Sequence, residues 1–189
     1  MQRKIPIEVS ARHIHLCKKD LETLFGKGHE IKKFKDLNQP SDFAAEEMVI
    51  LKNNDRSLEA RLIGPLREKT QIEICPTDTV YLGIKIPEFK SFNKIRVPEI
   101  TLAGSKGSVV LKGVFIFSQR HIHCNLDEAK ELGLKNRQIV SVFVSGERSL
   151  VFHDVLVKVD ENFRLAMHVD TDEGNAAGIN RTGEGEIIT

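Results

Sequence analysis

The sequence predicts a mainly β protein, built as two small β-barrel domains that are related by an internal repeat and joined to short helices. Three observations favour this fold class. Most segments alternate apolar and polar residues over a few positions between turn residues, which is typical of small barrels. The hexapeptide Ser-x-Arg-His-Ile-His occurs at 10–15 and again at 118–123. Neither half alternates strands with long helices as a parallel sheet requires.

In the first half, residues 5–16 alternate as a strand that contains the first hexapeptide. Apolar residues at helical spacing then predict a short helix over 18–25, which Gly26 ends. The Asn-Asn-Asp sequence at 53–55 indicates a hairpin. The remaining predicted elements are strands within 30–38 and at 48–51, 58–63 and 70–75, and a helical turn at 77–82.

The second half begins after a connector at 87–100, which contains two prolines. Asn125 is expected to cap a helix over 126–132, ended by Gly133. Strands are predicted at 100–102, 108–111, 114–123, 138–144, 150–159 and 163–169, followed by a helical turn at 171–177 and a frayed, Gly-rich end. The predicted domains are therefore 5–90 and 91–180, with an approximate boundary and with terminal strands that can exchange between the barrels.

Each hexapeptide contains a His-x-His pair, namely His13 with His15 and His121 with His123. Side chains alternate between the two faces of a strand, so both rings of a pair point the same way. Two imidazoles on one face make a good chelate for zinc. Chance or packing is the alternative explanation for a single pair, but a repeated pair favours metal binding.

A zinc ion held by two histidines needs further ligands, and one candidate stands in each half. Glu73 lies in the middle of a predicted strand, where an unpaired buried charge would be costly. His168 lies among apolar residues before an acidic turn. An exposed strand carboxylate and a hydrogen-bonded core histidine are the alternatives. Three protein ligands would leave one metal position open, as in catalytic zinc sites.

Arg67 follows a Gly-Pro turn just before the Glu73 strand. Its planar guanidinium suits phosphate, although an ordinary surface arginine is the alternative. Arg12 and Arg120 precede the histidine pairs, and either a structural role or the orientation of an anion is the interpretation for both.

Composition narrows the function classes. The net charge of +1 gives no electrostatic case for nucleic acid or a membrane surface, and no apolar run is long enough to span a membrane. Three scattered cysteines indicate a reducing, cytoplasmic setting. Cys17 and Cys124 follow the histidine pairs and are minor ligand candidates, while Cys75 and Cys124 are candidate nucleophiles.

Taken together, these motifs resemble the zinc-dependent phosphate propanoyltransferases, the phosphotransacylases that are associated with bacterial microcompartments. The resemblance covers nearly the whole chain. It is carried by residues 9–16, 37–40, 43–47, 64–73, 77–78, 82–84, 120–123 and 168–178.

The resemblance implies two β-barrels and two zinc ions per chain. It assigns His13, His15 and Glu73 to one zinc. It assigns His121, His123 and His168 to the other, and Arg67 to phosphate binding and catalysis. The implied reaction is the reversible conversion of propanoyl-CoA or acetyl-CoA and phosphate into acyl phosphate and coenzyme A. Residues matching the family's coenzyme A contacts are Val9, Ser10, Ala11, Lys35 and Asn175.

The family also implies a homodimer and, for some members, microcompartment shell proteins or enzymes as partners. The short segment ahead of the first strand lacks an amphipathic encapsulation helix, so a free cytoplasmic enzyme is expected at least as much as one in a microcompartment lumen. Two other functions fit the motifs: a zinc hydrolase that acts without phosphate, and a scaffold module whose zinc ions only brace the barrels. The acyl chain length and the native metal stay open, since cobalt or iron accepts the same ligands.

Overall fold

A computed structural model of the chain describes residues 3–84, 95–117 and 119–188. It confirms a mainly β fold with short helices. The strands are β1 Lys4–Ser10, β2 His13–His15, β3 Lys33–Asp36, β4 Phe43–Asn53, β5 Arg56–Gly64, β6 Gln71–Glu73, β7 Ile95–Ala103, β8 Ser108–Ile116, β9 His121–Cys124, β10 Ile139–Val144, β11 Leu150–Val159, β12 Ala166–Asp170 and β13 Thr182–Ile188. The helices are α1 Lys18–Phe25, α2 Pro76–Leu82, α3 Leu126–Leu132 and α4 Thr171–Ala177. None of these helices has the length and apolar character needed to cross a membrane.

The chain divides into two compact units. One consists of Met1–Ala11 and Gln119–Thr189, and we call it the His121 unit; the other is Arg12–Ser118, the His13 unit. These units differ from the predicted halves 5–90 and 91–180, because β1 pairs with β12 and β13 while β7 and β8 pair within the His13 unit. The first part of the predicted connector, 87–94, and the predicted boundary at 90/91 lie outside the described residues, as does Ser118.

The His121 unit is a closed barrel with the strand order β1-β12-β9-β11-β10-β13. Inward side chains from all of its strands fill one apolar core, which includes Ile7, Ile122, Val157 and Met167. Because successive side chains alternate, the residues on either side of Ile122 point away from this core. The barrel therefore displays His121 and His123 on its outer face.

The His13 unit has a seven-stranded sheet with the order β3-β4-β5-β2-β6-β8-β7. An additional pairing joins β4 to β7, so six of the strands form a closed ring of pairings and β3 extends from β4. A separate apolar core fills this sheet, with Ile14, Leu62 and Ile72 among its buried members. His13 and His15 flank Ile14 in the sequence and so lie on the opposite face.

The two units repeat one topology. β2 lies between β5, which runs parallel to it, and β6, which runs antiparallel. β9 lies in the same way between β11 and β12. Continuing outward, β8 pairs in parallel with β6 as β1 does with β12. The strand that precedes each hexapeptide in the sequence thus pairs within the unit that does not contain the histidine pair of that hexapeptide.

Several predicted elements need correction. The strand expected over 114–123 is two strands, because β8 ends at Ile116 and β9 begins at His121. The strand expected over 5–16 is likewise broken between β1 and β2. The Gly-rich end was expected to fray, but it forms β13, which pairs with both β1 and β10. The bounds of α1, α3, β11 and α4 agree with the predicted ones.

Candidate metal centres

The His13 unit brings its three predicted zinc ligands together. β2 pairs antiparallel with β6 in a register that places His13 directly opposite Glu73. The ligand atoms of His13, His15 and Glu73 all lie within 4.8 Å of one another, and Nε2 of His13 is 3.5 Å from Oε2 of Glu73. These three side chains form the His13 trio. Two imidazoles and a carboxylate at this spacing match the donor types of zinc.

His15 is prepared to act as a neutral ligand. The residue is only 1% exposed, and burial lowers the pKa of its imidazole to about 3, with the positive charge of Arg67 acting in the same direction. Its Nδ1 is buried without a hydrogen-bond partner among the described residues. Because the ring also makes a hydrogen bond to the Ile63 backbone, that bond must come from Nε2, which leaves the Nδ1 lone pair for a metal.

The His121 unit gathers three imidazoles, the His121 trio. His121 is opposite His168 in the antiparallel β9–β12 register. The ring centroids of His121 and His123 are 4.5 Å apart, and His168 is 5.3 Å from the first and 5.0 Å from the second. The ligand atoms of the His121 trio are farther apart than those of the His13 trio. Within the described ranges, the His13 trio is the one cluster whose ligand atoms all lie within 4.8 Å of one another.

The ring nitrogens of the His121 trio also favour metal binding. Nδ1 of His121 lies 2.8 Å from the Gln119 carbonyl oxygen, so this nitrogen donates and Nε2 retains a lone pair. Nδ1 of His123 is buried and has no hydrogen-bond partner among the described residues. Burial lowers the pKa of His123 to about 3, and burial likewise holds the pKa of His121 well below its usual range.

An unpaired buried nitrogen is costly unless something binds it. The unsatisfied nitrogens occupy the same position in both repeats, the second histidine of each pair. A divalent cation on these lone pairs would remove the cost in each unit. The residues therefore fit zinc in both units, with a carboxylate ligand in one and a third imidazole in the other.

Arg67 lies next to the His13 trio. Its backbone N–H donates to the Leu16 carbonyl at 3.0 Å, which fixes the turn after β5 against the end of β2. The guanidinium donates to the Gln71 side chain, and its Nη1 lies 4.0 Å from Oε1 of Glu73. The side chain is 38% exposed, so the cation is open to a solvent-borne anion beside the candidate metal site.

Sequence reasoning did not identify the partners of Arg12 and Arg120. Arg12 donates from Nε and Nη2 to Asp78 at 2.9 and 2.7 Å, and Arg120 Nε lies 3.0 Å from Glu173. Both carboxylates stand at the third position of the helix that follows β6 or β12, within a capping box. Each arginine thus ties the start of a histidine strand to the end of the third-ligand strand. The repeat and the acidic residues at helix starts were the signal that could have revealed this.

The candidate coenzyme A residues fall in both units. Val9, Ser10 and Ala11 lie at and just after the end of β1, and Asn175 is exposed on α4. Gly174 packs so closely that a Cβ there would lie 2.6 Å from a Val9 methyl, which brings the β1 end beside the Asn175 turn. Lys35 is exposed on β3 in the His13 unit.

The cysteines lie in positions that are poorly suited to a nucleophile or a metal ligand. Cys124 is buried in the apolar core of the His121 unit, on the opposite strand face from His123, and burial raises the pKa of its thiol to about 11. Cys75 is buried at the start of α2. Cys17 precedes α1, where its backbone N–H donates to the Thr70 hydroxyl at 3.1 Å. A thiolate nucleophile is not favoured at Cys124.

The metal-free protein should lose stability as the pH falls from about 6.5 to 5. His15, His121 and His123 stay neutral when folded but bind protons when unfolded, so unfolding takes up protons in this range. Glu173 opposes them, because burial raises its pKa to about 6. We expect a net loss of about 1–3 kcal/mol, measured by urea unfolding with a chelator present.

Matched glutamine substitutions test the source of this slope. Replacing His123 by Gln should flatten it, whereas the same change at His153, an exposed histidine on β11, should leave it unchanged. Stability that is constant or rises on acidification would contradict the prediction.

Comparison with known proteins gives the same family that the sequence motifs resemble. The family model for phosphate propanoyltransferase matches residues 6–180. A phosphate propanoyltransferase of Thermotoga maritima is 44% identical over 182 residues, 95% of this chain and 86% of the relative. That of Lachnoclostridium phytofermentans is 44% identical over 98% of this chain and 86% of its own length. That of Listeria monocytogenes is 36% identical over 100% of this chain and 89% of its own length.

Proposed function

Because the chain belongs to the phosphate propanoyltransferase family, we propose that it transfers an acyl group between coenzyme A and phosphate, with propanoyl-CoA or acetyl-CoA as the thioester. Membership identifies it as a transferase enzyme. The single observation that carries the site assignment is the His13 trio beside Arg67: buried imidazoles and a carboxylate at metal-ligand spacing, next to a half-exposed guanidinium.

Arg67 is the proposed phosphate-binding residue. A guanidinium can donate two parallel hydrogen bonds to phosphate oxygens. Its contact with the Gln71 side chain and its backbone bond to Leu16 hold the fork in place before phosphate arrives. Glu73, 4.0 Å away, would be occupied with the metal, so its charge would compete less with phosphate for Arg67.

We propose one zinc ion in each unit, held by the His13 trio and by the His121 trio. A zinc ion there would act as a Lewis acid that offsets negative charge on phosphate or on the acyl oxygen. His13 and His15 supply neutral donors, and Glu73 supplies the charged one. Holding two reactants in attack geometry can supply up to about 7–11 kcal/mol of the barrier. Direct transfer then requires no acyl-enzyme, in line with the core position of Cys124.

The thioester would bind where β1 ends beside α4, with Val9, Ser10, Ala11 and Asn175 as its contacts. Lys35 is proposed as a coenzyme A residue on the family resemblance alone. The packing of Gly174 against Val9 supports the first four as one surface. The family resemblance is the support for the wider proposals of a homodimer and of a role in propanediol degradation, either in the cytoplasm or within a bacterial microcompartment. Light scattering and fractionation of cells test these.

Loss of acyl-CoA should depend on phosphate. With propanoyl-CoA as substrate, free thiol should appear together with acyl phosphate, and omitting phosphate should lower the rate by at least about 10²-fold, since direct transfer has no acceptor without it. Thiol release can be followed with a chromogenic reagent across acetyl, propanoyl and longer thioesters. A methylene step should change kcat/KM by roughly 10–200-fold at the preferred length. Release that continues unchanged without phosphate would instead indicate a zinc hydrolase.

A further inference from the structure

The two trios differ in whether a carboxylate is one of the three candidate ligands. In the His13 trio the carboxylate of Glu73 is itself a candidate ligand. The corresponding position of the His121 trio is His168, which is uncharged when it binds a metal. One strand further out, β1 pairs in parallel with β12 and places Glu8 opposite His168. The matching position opposite Glu73 on β8 is Ile116.

The geometry between Glu8 and His168 suits a supporting contact. Oε2 of Glu8 lies 3.9 Å from Nδ1 of His168, about 1 Å beyond a hydrogen bond. Glu8 and His168 point to the outer face of the barrel, since their neighbours Ile7 and Met167 are fully buried. The Glu8 side chain is 27% exposed, so most of its surface is already withdrawn from water.

We propose that Glu8 is a positioning residue for the metal site of the His121 trio. Its carboxylate accepts the Nδ1–H of His168 and thereby directs Nε2 of that ring toward the metal. Histidine ligands commonly donate their second N–H to a carboxylate, which fixes the tautomer and strengthens the ligand. Each metal site then has one carboxylate, bound directly as Glu73 in one unit and acting through His168 in the other. This inference rests on the proposed function, because it needs a metal on the His121 trio.

The test counts zinc ions as they are released. The zinc-loaded chain is titrated with a chromophoric chelator, and the unsubstituted protein should release two equivalents. In Glu8→Leu one equivalent should leave at about 10–100-fold lower chelator concentration while the other is unchanged. Glu8→Gln, which keeps the shape but loses the charge, should have a smaller effect. The matched control is Glu184→Gln, an exposed glutamate on the adjacent β13.

The outcomes separate the two proposals. Release of both equivalents as in the unsubstituted protein, or equal weakening of both, would overturn the role of Glu8. If the unsubstituted protein binds no zinc at all, the metal centres of the proposed function fail instead. A second measurement needs no variant: in histidine ring NMR spectra of the zinc-loaded protein, His168 should be the Nδ1–H tautomer. Finding the proton on Nε2 overturns the proposal.

Discussion

Alanine at His15 is expected to remove one of two bound zinc ions and to lower phosphate-dependent cleavage of acyl-CoA by at least about 10²-fold. His15 is one of three candidate ligands, and its Nδ1 lacks any hydrogen-bond partner among the residues described. Lewis-acid stabilisation of a transition state contributes several kcal/mol, and each 1.4 kcal/mol corresponds to a factor of ten in rate. Zinc stoichiometry by elemental analysis and steady-state rates are the measurements.

His153→Ala is the control for this substitution, because it removes an exposed imidazole from β11. It should leave two zinc ions and the full rate. Circular dichroism should show that both variants stay folded, since a destabilised barrel could also lose its metal. A His15→Ala protein that keeps two zinc ions and turns over normally would exclude the His13 trio as a zinc site.

The shared orientation of the two histidines in each pair was predictable, because the alternation of side chains along a strand depends only on neighbouring residues. His13 and His15 share one strand face, as do His121 and His123, whatever the rest of the fold does. The third ligands depend on strand pairing. Glu73 reaches His13 only because β6 pairs antiparallel with β2 in one register. A shift of one residue would turn Glu73 to the other face, and the sequence pattern alone does not set this register.

The Gly-rich end shows why local patterns misled. Glycines usually indicate loops, so the sequence predicts a frayed Gly-rich end after the last helix. In β13, however, a Cβ at Gly185 would lie 2.6 Å from Val142 and 2.8 Å from Ile7. Side chains of the neighbouring strands already fill that part of the barrel, and only glycine fits between them. The pairing of β1 with β12 and β13 likewise cannot be predicted from a local sequence pattern, because these strands lie more than a hundred residues away in the chain.

Alanine at Arg67 is expected to lower kcat/KM for phosphate by about 10²–10³-fold, the usual effect of removing one preorganised donor for a developing anion. The zinc content should not change, because the guanidinium is 4.0 Å from the Glu73 carboxylate and is not itself a ligand. Arg67→Lys keeps the charge but lacks the planar fork, so it should recover only part of the rate. Added guanidinium ion should partly rescue the alanine variant but not the lysine variant. Rates at varied phosphate with saturating propanoyl-CoA separate binding from turnover.

Lys69→Ala is the matched control, because it removes an exposed cation from the same turn. A general electrostatic attraction of phosphate to this basic turn would make both substitutions equally harmful, and high salt would weaken both effects. A phosphate site formed by a positioned guanidinium predicts instead that only Arg67→Ala is severe, with little salt dependence of the ratio. An equal loss of kcat/KM in the two variants would indicate general charge attraction of phosphate instead of a specific phosphate site. A normal rate for Arg67→Ala would remove this residue from the reaction.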